Sequence, residues 1–186
     1  MKKRVFVGAF LLSVSAVAAG LFAQPGPVPG MEVKRKAMEQ VAFLAGEWSG
    51  SGWMQIGPQR QSFQSSEVVV PKLDGLVLVI EGMHTAEMEP GQPPRVVHET
   101  LAFLSYDPNK NQYAMQTHLV DGRSGDYAGR VEDGAFIWEI VSPTGKMRYT
   151  IKLNEKGEWH EIGEMTRDEG KTWMQFFEMT LTKKAG

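Results

Sequence analysis

The sequence contains no cysteine, and this absence excludes several kinds of structure and chemistry at once. Without cysteine, a chain forms no disulfide, carries no lipid-modified cysteine as lipoproteins do, and offers no thiolate for catalysis or metal binding. The core must therefore stabilise the fold by burial alone. Motifs for other nucleophiles and for phosphates are also missing, since there is no Gly-x-Ser-x-Gly, no Ser-x-x-Lys and no glycine-rich phosphate loop.

An excess of charge of one sign is also missing, because 20 basic residues stand against 22 acidic ones for a net charge of −2. The first 23 residues hold three basic residues and no acidic one, so the rest of the chain has a net charge of −5. Nucleic-acid binding needs clustered Lys and Arg. This balance therefore argues against a nucleic-acid partner and against an anionic membrane surface.

The N-terminus has the pattern of a secretory signal peptide. A basic segment (Lys2 to Arg4) precedes an apolar segment (Val5 to Val17), and Ala23-Gln24 is a suitable cleavage point. We therefore expect residues 1–23 to be removed and the product to be periplasmic or secreted, without a membrane anchor. Residues 24–31 are rich in Pro and Gly and predict a tether. Residues 32–186 have the length of a single domain.

One amphipathic helix is expected over Met31 to Leu44, where apolar residues recur at helical spacing before Gly46 ends the helix. Beyond it, runs of β-branched and aromatic residues alternate with short turns, and no crossover helix separates them. This rhythm predicts an all-β, roughly ten-stranded antiparallel up-and-down barrel. The expected strands are 48–56, 61–71, 76–88, 96–106, 112–120, 126–131, 135–141, 146–153, 158–166 and 173–183.

Four segments carry a resemblance to a known family. They are LAGEWSGSGW (44–53), SYDPNKNQY (105–113), WHEIGEM (159–165) and FFEM (176–179). The chain resembles a bacterial family of secreted proteins of unknown function that is grouped with calycin (lipocalin-like) barrels. The resemblance implies a barrel that opens with Gly-x-Trp and in which Trp48 packs across the closed end. It implies no activity, because a fold does not determine a function.

A more distant similarity in fold is to nitrobindin, a ten-stranded haem barrel. Its haem is held by a histidine close to the C-terminus, whereas 173–183 contains no histidine and the nearest is His160. Haem is therefore possible but disfavoured, and no cofactor is expected. The eleven methionines are better explained as core fillers than as haem ligands.

The segment from Thr166 to Trp173 matches the Asp-box pattern Ser/Thr-x-Asp-x-Gly-x-Thr-Trp. Asp168 is expected to accept hydrogen bonds from turn amides, Gly170 to take a positive φ and Trp173 to fold under the loop. Because the box occurs once, we interpret it as a structural turn rather than a carbohydrate or calcium site.

Scattered polar and aromatic residues are the candidates for a ligand pocket. If the turn after Asp107 has three residues, His98 and His118 share a face and, with Glu81, form a plausible zinc or iron set; one more residue places them on opposite faces. We favour the reading without a metal, because these histidines lack metal-ligand spacing. The predicted pocket residues are Glu81, His98, Tyr113, Met115, His118, Trp138 and Arg148.

Three functions remain open. The leading one is an exported protein that binds a small apolar or amphipathic ligand inside the barrel. The second is an enzyme, an isomerase or a hydrolase, that works in the same cavity and needs a buried His or Glu. The third is a structural or partner-binding protein with a filled barrel and an exposed apolar patch.

Overall fold

The computed structural model describes residues 30–89 and 91–185, so the signal peptide and most of the tether predicted above lie outside the described residues. The expected N-terminal helix is present in two parts. Helix α1 spans Met31–Glu39, and a short 3-10 helix spans Ala42–Leu44. None of the described helices is long and apolar enough to cross a membrane.

Ten strands follow, one for each run predicted from the sequence, and the fold class is confirmed. They are β1 (Gly46–Ile56), β2 (Gln59–Lys72), β3 (Val77–Ala86), β4 (Arg95–Asp107), β5 (Gln112–Leu119), β6 (Ser124–Glu132), β7 (Ala135–Ser142), β8 (Gly145–Leu153), β9 (Trp159–Thr166) and β10 (Met174–Lys183).

The strands form a closed antiparallel barrel in which each strand pairs with its neighbours along the chain. Closure comes from β1, which pairs with β2 on one side and with β10 on the other, where Gly50 lies opposite Leu181. Closure leaves no unpaired sheet edge, and short connections suffice because every pair is antiparallel.

Helix α1 covers one end of the barrel, which we call the helix end. The hydroxyl of Tyr113 donates a 2.6 Å hydrogen bond to the carbonyl oxygen of Ala37. Trp48 is 1% exposed there, and its indole N–H donates a 2.9 Å hydrogen bond to the carbonyl oxygen of Leu44. The neighbouring inward side chains Phe136 and Leu181 are fully buried. The helix end is therefore a closed, apolar core.

The opposite end, which we call the mouth end, is ringed by the turns that join β1 to β2, β3 to β4, β5 to β6, β7 to β8 and β9 to β10. Some inward side chains near it, namely His98, Trp138 and Met147, are half-buried, whereas Phe63 and Ala86 at the same end are buried. Part of the inner wall of the barrel is therefore exposed at the mouth end.

The Asp-box forms the turn between β9 and β10 at the mouth end. Asp168 accepts hydrogen bonds from the amide and the hydroxyl of Thr172, at 2.9 and 2.6 Å, and from the hydroxyl of Thr166 at 2.7 Å. Gly170 has φ 93°, and the indole N–H of Trp173 donates to its carbonyl oxygen at 3.1 Å. These contacts are internal to the turn and account for the motif in structural terms.

Candidate functional site

A layer of buried polar side chains crosses the middle of an otherwise apolar interior. Its members face inward because they occupy alternate positions on strands whose other face meets solvent. Ser65 and Glu67 share the inner face of β2, which carries Phe63 and Val69 on either side of them. The members of this polar layer are Ser65, Glu67, His84, Thr117 and Glu161, each between 5% and 8% exposed.

Glu67 and His84 form the closest contact within the layer. Atom Nε2 of His84 lies 3.4 Å from Oε1 of Glu67. The imidazole ring stacks on Phe63 with 4.5 Å between ring centroids, which fixes its orientation. Within 30–89 and 91–185, no residue donates a regular hydrogen bond to the Glu67 carboxyl, and the neighbouring His84 is neutral. The cost of burying this carboxyl is therefore not offset by a charged partner.

Gly82, directly opposite Glu67 on β3, makes room for the carboxyl group. A Cβ atom at this position would lie 2.6 Å from Oε2 and 2.8 Å from Oε1 of Glu67. The absence of a side chain on β3 therefore allows the carboxyl to lie flat against the barrel wall.

Glu161 places a second carboxyl in the interior, from β9. The indole N–H of Trp159 donates a 3.1 Å hydrogen bond to its Oε2. Burial raises the pKa of Glu161 to about 8, and the nearby carboxyl of Glu67 adds to the rise. Burial alone raises the pKa of Glu67 to about 8 as well. Both acids are therefore mostly protonated at neutral pH.

The two interior histidines shift in the opposite direction. Burial lowers the pKa of His84 to about 4, so its ring is neutral at physiological pH. Burial, with smaller effects from His84 and Arg123, also lowers the pKa of His98 to about 4. The ring centroids of the two histidines lie 5.0 Å apart, and His98 is the member nearer the mouth end. The layer thus offers hydrogen-bond donors and acceptors without a net charge.

Two buried polar atoms near this layer have no partner among the described residues. They are the hydroxyl oxygen of Ser65 and the indole nitrogen of Trp138. The Trp138 ring stacks on Tyr149 with 4.5 Å between centroids and an angle of 11°. A buried polar atom without a hydrogen bond costs free energy, which marks the position as a candidate contact for a ligand.

The pocket residues predicted from the sequence divide between the two faces of the barrel. Four of them, His98, Tyr113, Met115 and Trp138, point into the interior. Tyr113 and Met115 belong to the buried core, whereas His98 and Trp138 lie nearer the mouth end. The structure therefore brings only part of the predicted set close to the polar layer.

The other three, Glu81, His118 and Arg148, lie on the outer face. Arg148 is held there by a 2.8 Å contact from its Nε to Glu164 and by the ring of Trp173, whose centroid lies 4.0 Å from its guanidinium carbon. Glu81 and His118 line a shallow outer groove of about 560 Å³ across β2 to β5.

The register of β4 and β5 separates the two histidines that the sequence left open. His118 pairs with Leu101, and Leu119 pairs with Thr100, which is the longer of the two turn alternatives. His98 consequently points inward and His118 outward, so they do not share a site. In the described part of the chain, no group of three or more His, Asp or Glu residues has a geometry suited to a metal ion.

The residues present do not match the haem-holding set that nitrobindin would imply. The buried side chains of β10 are Phe176, Phe177, Met179 and Leu181, and none of them is a histidine. The one fully interior histidine, His84, has its Nε2 directed at Glu67 and its ring against Phe63.

Sequence reasoning missed Ser65, Glu67 and Glu161 and did not select His84 for the pocket. The sequence contained one usable signal, namely which of the two alternating sets of residues on each strand faces the barrel interior. On β2, the positions of Phe63 and Val69 fix an inner face that also contains Ser65 and Glu67. Trp159 fixes the same phase for Glu161 on β9.

Comparison with known proteins supports the fold alone. No protein-family model matches the sequence, and no curated protein matches it. Rv2717c from M. tuberculosis is a structural neighbour at 13% identity and a TM-score of 0.59, covering 80% of this chain and 98% of that one. The S-type phycobiliprotein lyase CPES from Guillardia theta is another, at 11% identity and a TM-score of 0.55, covering 86% and 99%. The chain therefore shares its barrel fold with these two proteins.

Proposed function

We propose that this protein is exported and binds one small amphipathic molecule inside the barrel, in contact with the polar layer. The observation that carries the proposal is the burial of the Glu67 and Glu161 carboxyls in an interior that is otherwise apolar. A barrel selected only for stability gains nothing from such groups, because an unpaired buried acid lowers the free energy of unfolding. Perturbed acids and bases in a barrel interior are characteristic of functional sites.

The distribution of exposure gives the direction of entry. The helix end is sealed by α1 and by Trp48, whereas some inward side chains at the mouth end, among them His98 and Trp138, are half-buried. A ligand that enters there first meets His98 and the stacked pair Trp138 and Tyr149, and then reaches Glu67. Its apolar part would contact the aromatic rings, and its polar part would contact the layer.

Export is the second part of the proposal, and it rests on the N-terminal sequence. The basic segment, the apolar segment and the small residues before Gln24 have the order of a cleaved leader. Expression of the full chain in a Gram-negative host should yield a periplasmic protein whose N-terminal sequence begins near Gln24. An uncleaved protein in the cytoplasm would overturn export and leave the binding proposal intact.

Ser65 and Ser66 provide a matched pair for testing the binding site. Ser65 faces the interior beside Glu67, whereas Ser66 faces the outer surface of the same strand. Ser65→Leu should abolish binding of amphipathic molecules, measured by titration calorimetry, because it fills space and removes the hydroxyl at the polar layer. Ser66→Leu should leave binding unchanged. Equal binding by both variants would contradict an interior site.

An enzyme in the same interior is the second candidate, and the contact between Glu67 and His84 favours it. A protonated acid beside a neutral imidazole is an arrangement able to give and accept protons. One of the structural neighbours is an enzyme by name, the phycobiliprotein lyase. Incubation of a bound molecule with the protein distinguishes the two functions, since a carrier returns it unchanged and an enzyme converts it.

A further inference from the structure

Among the described residues, the side chains buried inside the barrel include two acids and no Lys or Arg, and this determines which ligand chemistry the interior fits. Two acids, Glu67 and Glu161, are 5% and 6% exposed. None of the Lys and Arg side chains in 30–89 and 91–185 is buried. Lys183 is at the rim of the helix end, and Arg148 is on the outer face. The protein itself therefore supplies no cation for either carboxyl.

Ser65 gives an independent sign that a hydrogen-bonding group belongs beside Glu67. Its hydroxyl oxygen is buried and has no partner among the described residues, and it shares the inner face of β2 with Glu67 two positions away. A hydroxyl oxygen and a carboxyl side by side are acceptors for the N–H groups of one incoming donor. The aromatic ring of Phe63, on the same face, suits a cationic or apolar neighbour.

We infer that the ligand's polar end is an organic cation, a protonated amine in the simplest case, held by the carboxyls of Glu67 and Glu161 and by the Ser65 hydroxyl. This inference rests on the proposed function and names the ligand class for the same site. A carboxylate ligand is disfavoured there, because it would bring a third acid into the interior. An alcohol should bind with intermediate affinity, since it forms hydrogen bonds but carries no charge.

Binding of such a cation changes the protonation of the layer. A neutral carboxyl beside an arriving ammonium group gives up its proton to the solvent, and the resulting carboxylate pairs with the ammonium. The titratable groups that face Glu67 are His84 on β3 and Glu161 on β9, with His98 beyond His84. Neutral histidines do not repel the cation, so the layer can accept its charge.

Three probes of equal chain length test the inference on the folded protein: octylamine, 1-octanol and octanoate. Titration calorimetry at pH 7 should give octylamine a dissociation constant at least about tenfold lower than that of octanoate, with octanol between them. Octylamine binding should also release protons, seen as a dependence of the measured heat on the ionisation enthalpy of the buffer. Octanol binding should release none.

Variants locate the effect within the barrel. Glu67→Gln and Glu161→Gln should each reduce the preference for octylamine over octanol and reduce the proton release. Glu81→Gln removes a carboxylate from the outer face of β3 and should change neither quantity. If a glutamine variant fails to fold, the ranking of the three probes on the unmodified protein decides the question alone.

The outcomes separate the two proposals. Binding of octanoate as tight as that of octylamine, or tighter, overturns the cationic ligand and leaves interior binding standing. A preference for octylamine that persists in both glutamine variants also overturns it, because the cation is then held elsewhere. Failure of all three probes to bind overturns the proposed function and this inference with it.

Discussion

Nε2 of His84 lies 3.4 Å from Oε1 of Glu67 inside the barrel, with at most 9% of either side chain exposed. Burial raises the pKa of the acid and lowers the pKa of the base, so at neutral pH the pair is a carboxylic acid beside a neutral imidazole rather than an ion pair. The interior is therefore polar without being charged, which is the state from which it can accept a ligand.

Stability should fall as the pH rises from 6.5 to 8. Glu67 and Glu161 have a pKa of about 8 in the folded protein and an ordinary value of 4.5, so between these values the folded state holds protons that the unfolded state has lost. Their stabilising contribution is complete below pH 4.5 and is lost as the pH passes 8. Each acid contributes a slope of up to about 1.4 kcal/mol per pH unit.

The histidines change stability with pH in the opposite direction, and they limit the pH range in which the effect of the acids is seen alone. His84 and His98 have a pKa of about 4 when folded and 6.5 ordinarily, so their contribution is complete above pH 6.5 and is lost as the pH falls through 4. Between pH 4.5 and 6.5 the two effects oppose each other. Urea unfolding from pH 4.5 to 8.5 measures the free energy of unfolding across this range. Glu67→Gln should make its decrease above pH 6.5 less steep. A flat profile above pH 6.5 in the unmodified protein would contradict burial of both acids.

Gly82→Ala should destabilise the protein by about 1–3 kcal/mol, the usual range for an overpacked interior. The new methyl group would overlap the Glu67 carboxyl on the neighbouring strand. A double-mutant cycle isolates the cause, since the cost of Gly82→Ala should become smaller in a Glu67→Ala background. Equal costs in the two backgrounds would place the Glu67 carboxyl away from Gly82.

Trp48→Ala should lower the free energy of unfolding by about 3–5 kcal/mol, because it empties a fully enclosed site at the helix end. Ligand specificity should be unchanged, since Trp48 packs at the helix end and is not a member of the polar layer. Trp53 on the same strand is the control: it is half-buried beneath Arg60, so Trp53→Ala should cost less. Unaltered thermal stability of Trp48→Ala would count against the sealed helix end.

Asp168→Ala should lower the melting temperature and leave ligand affinity unchanged, because Asp168 acts within the turn between β9 and β10. Hydrogen bonds from Thr172 and Thr166 lower the pKa of Asp168 to about 2. Its stabilising contribution is therefore present above the ordinary pKa of 3.8 and is lost only as the pH falls through about 2. Altered affinity in this variant, measured by the same calorimetry, would assign the Asp-box a role in the binding site.

The fold was predictable because its signals are local. Alternating apolar residues fixed each strand, and Asp-Gly or Lys-Gly pairs at Asp74, Asp121, Asp133 and Lys156 marked the turns. Helix α1 is shorter than expected: it ends at Glu39, and the residues from 42 to 44 form a 3-10 turn. At the end of the helix, the Ala37 carbonyl accepts hydrogen bonds from the Gln40 amide at 3.1 Å and from the Tyr113 hydroxyl of the barrel at 2.6 Å, so a tertiary contact stands where the helix ends.

The site was only partly predictable because it depends on which face each residue occupies. On β2, Phe63 and Val69 indicate the inner face, but Val68 and Val70 on the opposite face are equally apolar and weaken that signal, and an inward Glu67 is rare enough to be discounted. The pairing of His98 and His118 depended on a single residue in the β4–β5 turn. Local composition alone determines neither the face on which Glu67 lies nor the length of the β4–β5 turn.

Native mass spectrometry of the protein recovered from the periplasm of an expressing host, with an absorbance scan of the same sample, tests interior binding most directly. We expect one retained small molecule per chain, carrying an amine or another organic cation, that is lost in Ser65→Leu and kept in Ser66→Leu. A ligand-free mass that stays unchanged when amphipathic amines, alcohols and acids are added would contradict it.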